Sequence, residues 1–217
     1  MSNVLAMAIP HARPARRRVL HVGCGHPAAH RLHAAFQDLD WEEIRLDIDP
    51  RVKPDIVCST VDMSRAVESH SVDAVWSSHT IEHLHDHEAT AALLEFRRVL
   101  RPEGFLLLRC PDLAAVVRSI LHDGLEHVAY ESPAGPITPL DMLYGHRASI
   151  AAGSAFMAHH TGFTDERLGR MLLTAGFVEA RTKQALTFDL WAVAFAPRAD
   201  IDGCLERLAR GGLRFDD

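Results

Sequence analysis

No stretch of this 217-residue chain approaches the run of about 20 apolar residues that a bilayer-spanning helix needs, so membrane insertion by helices is not expected. Positive charge is in deficit: 23 Lys and Arg stand against 29 Asp and Glu, a formal net charge of −6. There is no global basic field to hold a polyanion, which argues against nucleic acid as a partner. Only two of the cations are lysines, Lys53 and Lys183, and no Tyr-x-x-x-Lys pair is formed. The four cysteines, Cys24, Cys58, Cys110 and Cys204, are scattered without a C-x-x-C pair, which fits a reduced, cytoplasmic protein. Internal repeats and low-complexity tracts are also missing.

What is present is the composition of an ordinary globular protein, 47% hydrophobic and 24% charged, at a length suited to one α/β domain. Arg13, Arg16, Arg17 and Arg18 precede Val19-Leu20-His21-Val22-Gly23, a stretch too short and too soon broken by glycine for the apolar part of a signal peptide. Residues 1–18 are therefore expected to be a flexible basic tail, 19–198 the domain, and 199–217 a short C-terminal helix or tail.

Short β-like runs alternate with longer helical patterns, which predicts a mostly parallel, Rossmann-like sheet with helices on both faces. Strands are expected at Val19–Val22, Glu43–Leu46, Asp55–Cys58, Val72–Ser77 and Phe105–Arg109. Ala28, Leu32, Ala35, Phe36 and Leu39 recur at helical spacing after Pro27 and predict a helix there. Further helices are expected over His87–Leu100, with Leu93, Leu94, Phe96, Val99 and Leu100 inward, over Leu113–His122, and after Thr164 as far as Gly176. Arg101–Gly104 reads as a turn. Phe177–Lys183 and Leu186–Ala194 read as a final antiparallel pair. The stretch from about 123 to 163, rich in Pro, Gly and His, breaks this rhythm and reads as an irregular cap or lid.

The first chemical signal is Val19–Gly25, a strand running into Gly23-Cys24-Gly25 and then a helical pattern. Glycine permits a tight turn and close approach of backbone to ligand, and a helix start offers free N–H groups. A purely structural turn would look the same. The second signal is Asp47, about 24 residues beyond Gly23 at the end of the next strand, where an acid accepts hydrogen bonds from ribose hydroxyls. Asp49 is its competitor and would otherwise cap the following turn.

Taken in order, Val19–Gly25, the Leu46-Asp47-Ile48-Asp49-Pro50 corner, Val72–Val75 with Ser77-Ser78-His79-Thr80-Ile81-Glu82-His83-Leu84, and Glu95–Gly104 resemble class I S-adenosylmethionine (SAM)-dependent methyltransferases of the type 11 kind. Gly176-Phe177 also looks like that family's A-G-F corner. The resemblance implies a SAM-dependent methyltransferase that releases S-adenosylhomocysteine and acts on a small-molecule acceptor. It implies that Gly23, Cys24 and Gly25 face the methionine part of SAM, that Asp47 holds the ribose with Ile48 beside the adenine, and that Asp62 and Met63 meet the adenine edge. His79 would lie next to the sulfonium and the methionine carboxylate. Two departures stand out: Pro27 occupies the place of a third glycine, and the segment Cys58–Asp62 is offset, leaving Ser59 as the rival of Asp62.

The run His79-x-x-Glu82-His83-x-His85-x-His87 invites a metal, but its order is not H-E-x-x-H, and the resemblance accounts for it as a loop and cap, so no metal is expected. Within the lid segment Tyr144, His146 and His160 are the acceptor-site candidates, chosen for their ability to orient an acceptor and take its proton. A nicotinamide-dependent oxidoreductase shares the strand–glycine–acid logic but lacks the full G-x-G-x-x-G pattern. A non-catalytic SAM-binding family member acting as a partner protein is the other alternative. The oligomeric state stays open, a homodimer included.

Overall fold

The computed structural model describes residues 16–29 and 31–215. Most of the expected basic tail thus lies outside the described residues, and Arg17 and Arg18 already belong to the first strand. The elements run β1 (Arg17–Val22), β2 (Trp41–Asp47), β3 (Ile56–Val57), β4 (Val72–Ser78), α1 (Asp86–Val99), β5 (Leu100–Pro111), α2 (Leu113–Asp123), β6 (Tyr130–Ser132), β7 (Gly135–Ile137), α3 (Pro139–Tyr144), α4 (Arg147–Ala151), α5 (Asp165–Thr174), β8 (Glu179–Gln184), β9 (Asp189–Phe195) and α6 (Ile201–Arg210).

One seven-stranded sheet has the order β3-β2-β1-β4-β5-β9-β8. Strands β1 to β5 pair in parallel, while β9 lies antiparallel between β5 and β8. The expected Rossmann-like sheet with a terminal antiparallel pair is therefore present. That strand pair departs from the 3-2-1-4-5-6 order of dinucleotide-binding folds, so the oxidoreductase reading is not favoured. The order reverses between β1 and β4, and the crevice beyond their C-terminal ends is where open α/β sheets bind ligands.

The middle strands are apolar on both faces because both are covered. Along β5, Leu106 and Leu108 enter one core with Phe96 of α1 and Leu168 and Leu172 of α5. Phe105 and Leu107 alternate with them and enter a second core with Phe36, Trp41 and Trp76. α5 begins where Thr164 Oγ1 accepts the amide of Arg167 at 3.3 Å, as the capping pattern predicts.

Three expectations fail in detail. The helix predicted after Pro27 is absent, replaced by single 3₁₀ turns at Pro27–Ala29 and Ala34–Phe36, with Leu39 74% exposed. Competing hydrogen bonds account for this: the carbonyl of Arg31, which a helix would commit to its own ladder, accepts the Trp76 indole N–H at 2.9 Å, and His33 caps the second turn through the amide of Ala35. The face left bare is covered by α6, whose Leu208 joins Leu213 and Phe215 in the second core. Leu94 points outward from α1, half exposed, because it falls between the inward positions Leu93 and Phe96. Arg101–Gly104 is not a separate turn but the irregular start of β5, where the register with β4 shifts between Val72 and Ala74.

The stretch after α2 is built rather than loose. A hairpin (β6–β7) and α3 pack on α2 through Val116, Ile137 and Met142. Buried Asp141 organises the corner: it accepts the amide and hydroxyl of Thr138 at 3.1 and 2.6 Å and the amide and Nε of Arg147 at 3.2 and 2.9 Å.

Candidate active site

At the head of the β1–β4 crevice the chain turns through Gly23 and Gly25, both in the left-handed region with φ of +61° and +62°. A Cβ on Gly23 would overlap Thr80, which follows β4. The turn is tied to β2 in three ways. The amide of Cys24 donates to the carbonyl of Leu46 at 3.2 Å, the amide of Gly25 donates to Asp47 Oδ2 at 2.9 Å, and Arg45 donates to the Gly25 carbonyl at 2.6 Å. The other oxygen of Asp47 accepts the amide of Asp49 at 2.9 Å. Asp47 thus faces the glycine turn, and each oxygen keeps acceptor capacity beyond its one backbone donor. Asp49 serves as the cap of the next turn and pairs with exposed Arg51, the lesser of its two predicted roles.

The surroundings fit a nucleoside-bearing cofactor. Ile48, next to Asp47, presents an apolar side chain that is 49% exposed, a platform of the kind a base covers. Cys24 is buried, and burial pushes its thiol up to about 11, so it contributes backbone rather than a nucleophile. The adenine-edge pair fares differently. Asp62 is held in a local turn, accepting the amide and hydroxyl of Ser64. Met63 is fully buried in the first core and its amide is donated to Glu95 at 2.6 Å, so in this arrangement it presents neither side chain nor amide to a ligand. Its apolar character reflects packing.

His79 stands immediately after β4 with φ +50°, its amide donating to the carbonyl of Arg109 at 2.9 Å. Its ring bridges two carboxylates, Nδ1 to Glu82 at 3.1 Å and Nε2 to Asp189 at 3.2 Å, and Asp189 pairs with Arg109 at 3.2 Å. Burial alone would lower the pKa of His79, but the bonds to Asp189 and Glu82 outweigh it and hold the ring at about 9. Glu82 is buried and Asp189 partly so, which would raise them, yet their bonds to His79 keep both below the usual carboxylate range. At neutral pH His79 is therefore a cation with both N–H groups engaged, and it cannot take a proton. Glu82 is visible in the S-S-H-x-x-E-H-L segment. Asp189 and Arg109 carry no sequence signal, since only the β5–β9 pairing brings them together.

Behind Glu82 lies a cavity of about 190 Å³ between α2, α3 and the chain at residues 159–163. Leu113, Val116, Met142 and Phe163 give it apolar walls, and Tyr144, His159 and His160 bring polar groups to it. Two of the three acceptor-site candidates, Tyr144 and His160, thus meet at one cavity. His146 does not line it: its Nδ1 is bonded to Ser149 Oγ at 2.7 Å at the start of α4. His159 was missed. It is partly buried, and burial lowers its pKa, leaving a neutral imidazole at pH 7. A larger but open depression at the β8 edge, lined by Glu166 and Arg170, lies away from the crevice, and its polar groups pair with each other at 3.4 Å.

Comparison with known proteins agrees with this geometry. The sequence profile of the methyltransferase-domain family matches residues 20–108. No curated protein matches the full sequence significantly. Among solved structures, a protein of Pyrococcus horikoshii OT3 superposes with a TM-score of 0.56 at 14% identity, over 83% of this chain and 82% of its own. A SAM-dependent methyltransferase of Archaeoglobus fulgidus gives 0.53 at 15% identity, over 82% and 86%. The putative methyltransferase of Haloferax volcanii, solved in complex with the Trm112 methyltransferase activator, gives 0.52 at 18% identity, over 85% of each chain. At these identities the structural likeness speaks for the fold, and the profile match adds the family over β1 to β5. Residues 20–108 thus match the methyltransferase-domain family, and the fold of the chain is that of the solved SAM-dependent methyltransferases it resembles.

Proposed function

We propose that the protein transfers the methyl group of SAM to a small-molecule acceptor seated in the cavity between α2 and α3. The observation that carries this reading is the Asp47 carboxylate, held against the Gly23–Gly25 turn at the switch point of the sheet with acceptor capacity to spare. In this reading Gly23, Cys24 and Gly25 lend backbone to the methionine part, Asp47 takes the ribose hydroxyls, and Ile48 covers one face of the adenine. Asp62 stays a candidate for the adenine edge through a change of its local turn, whereas Met63 supports the site from the core. Protonated His79 sets a positive charge at the end of β4, suited to a carboxylate nearby.

The bound cofactor supplies an activated methyl group, and the chain's own task is to orient the acceptor in line with it and exclude water. The path from turn to cavity is short in residues: Thr80 packs on Gly23, His79 bonds Glu82, and Glu82 lines the cavity. For an acceptor that must lose a proton, His160 is the candidate base in the cavity wall, with the Tyr144 hydroxyl to orient the acceptor. Four free cysteines, none paired, support a reduced, cytoplasmic setting in this reading. Among the described residues no helix is long and apolar enough to cross a membrane.

The test is calorimetry with SAM, S-adenosylhomocysteine and NADH, followed by transfer of labelled methyl to panels of hydroxyl, amine and thiol acceptors. Binding of the first two but not of NADH is expected. A folded protein that binds neither SAM nor its product would overturn the proposal.

A further inference from the structure

Glu82, His83 and His159 form a group outside the cofactor crevice, beside the acceptor cavity. One donor atom from each lies within 4.8 Å of those of the other two. Zinc-like ions hold nitrogen and oxygen ligands at about 2.0–2.2 Å, hence about 3.3–3.6 Å apart in a tetrahedron, so closing the cluster takes shifts of about 1 Å.

Three further observations point to a ligand there. Both imidazoles are tied by Nδ1 to backbone carbonyls, His83 to Ala158 at 3.1 Å and His159 to Met142 at 2.8 Å. This is how metal-binding histidines are oriented from behind, and it leaves the lone pair on Nε2. Glu82 is 1% exposed, and while one of its oxygens accepts from His79, Oε2 is buried with no hydrogen-bond partner among the described residues. A carboxylate oxygen in that state is costly unless something coordinates it. The two contributing segments are also clamped together, since the amide of His160 donates to the carbonyl of Glu82 at 2.8 Å.

We propose that Glu82, His83 and His159 bind a divalent transition-metal ion of the zinc type, with an open coordination position facing the cavity. Two imidazoles and one carboxylate are the ligand set of open, catalytic zinc sites. The sequence run His79-x-x-Glu82-His83 is thus half of the site: His79 is excluded because both its ring nitrogens are engaged, and the third ligand comes from His159, about 76 residues further on. On the acceptor-cavity reading, a hydroxyl or water entering the open position would be acidified. Binding of the ion does not depend on that reading.

The experiment uses the full chain, stripped with chelator, dialysed against zinc chloride and analysed for bound metal, with cobalt(II) as a second probe. One zinc per chain is expected, with four-coordinate cobalt absorption in the visible. His159→Ala and His83→Ala should each weaken zinc binding at least tenfold while circular dichroism stays native, and His122→Ala, at the exposed His122–Asp123 pair, should keep the full stoichiometry. Should Glu82→Gln fail to fold, the two histidine variants still decide the matter. Absence of stoichiometric zinc in the folded wild type, or its retention in the His83→Ala/His159→Ala double variant, would overturn the proposal. Asp47→Ala should abolish SAM binding without changing the zinc count, which separates failure of this site from failure of the cofactor site.

Discussion

Replacing Asp47 by Asn exchanges one carboxylate oxygen for an amide NH₂ and tests the centre of the site. In the native protein one carboxylate oxygen accepts the Gly25 amide and the other the Asp49 amide, each at 2.9 Å. An asparagine carbonyl can serve one of these donors, and its NH₂ must then face the other. Loss of one hydrogen bond to a charged acceptor costs about 1.5–3 kcal/mol. At about 2–4 °C per kcal/mol for a chain of this size, that corresponds to a fall in Tm of about 3–12 °C. The ribose loses a charged acceptor as well, and a loss of the same size weakens SAM binding roughly 10- to 150-fold. Calorimetry with SAM and differential scanning fluorimetry read the two effects. Asp49→Asn is the matched control, because its carboxylate is spent on Arg51 at the surface, and SAM affinity should stay within about twofold of wild type. An Asp47→Asn protein that is folded and binds SAM normally would refute the reasoning, as would a larger loss from Asp49→Asn.

Gly23→Ala forces a side chain into the left-handed region and into Thr80, at about 1–2 kcal/mol for the first and about 1–3 kcal/mol for the second; adding Thr80→Ala should recover most of the stability lost to the clash and none of that lost to backbone strain, and urea titrations in which the double variant gains nothing would contradict this. Asp141 sits below the usual carboxylate range: burial opposes ionisation, but the bonds from Arg147 and Thr138 prevail. A depressed folded pKa gives stability that is present above about pH 4 and lost as pH falls further, so Asp141→Asn should flatten the acid limb of a Tm-against-pH curve, and an unchanged slope would count against it. Leu208→Ala should cost about 2–5 kcal/mol in urea unfolding, because α6 closes the second core; a change under about 0.5 kcal/mol would make α6 an ornament.

The parallel strands were legible because β1, β4 and β5 are apolar runs bounded by turn residues, and α5 because Thr164 and Gly176 mark its ends. The crossover after β1 was not. Its apolar spacing is helical, but Phe36 is claimed by Trp41 and Phe105 at ring distances of 5.0 and 5.9 Å, and Trp76 takes the Arg31 carbonyl, tertiary demands that local periodicity does not carry. The site divides the same way. Gly23, Gly25 and Asp47 announce themselves by spacing along β1 and β2, and the structure bonds the Gly25 amide to Asp47. Met63 matched a pattern of residue type alone, and its apolar side chain went to the core. Asp189 and His159 owe their places to an antiparallel pairing and to the packing of the segment after α2, whose register no local signal encodes.

The covering of β1 and Phe36 by Leu208, Leu213 and Phe215 has a bearing on how the protein is made. Among the described elements β1 shares a hydrophobic layer with α6, far along the chain, so that layer stays unsealed until α6 has been synthesised. A nascent chain halted before residue 200 would carry the side of the sheet bearing Trp41 and Phe105 uncovered, a surface that chaperones hold and that sticks to its own kind. Closure of this layer is thereby deferred until α6 has left the ribosome and can reach β1.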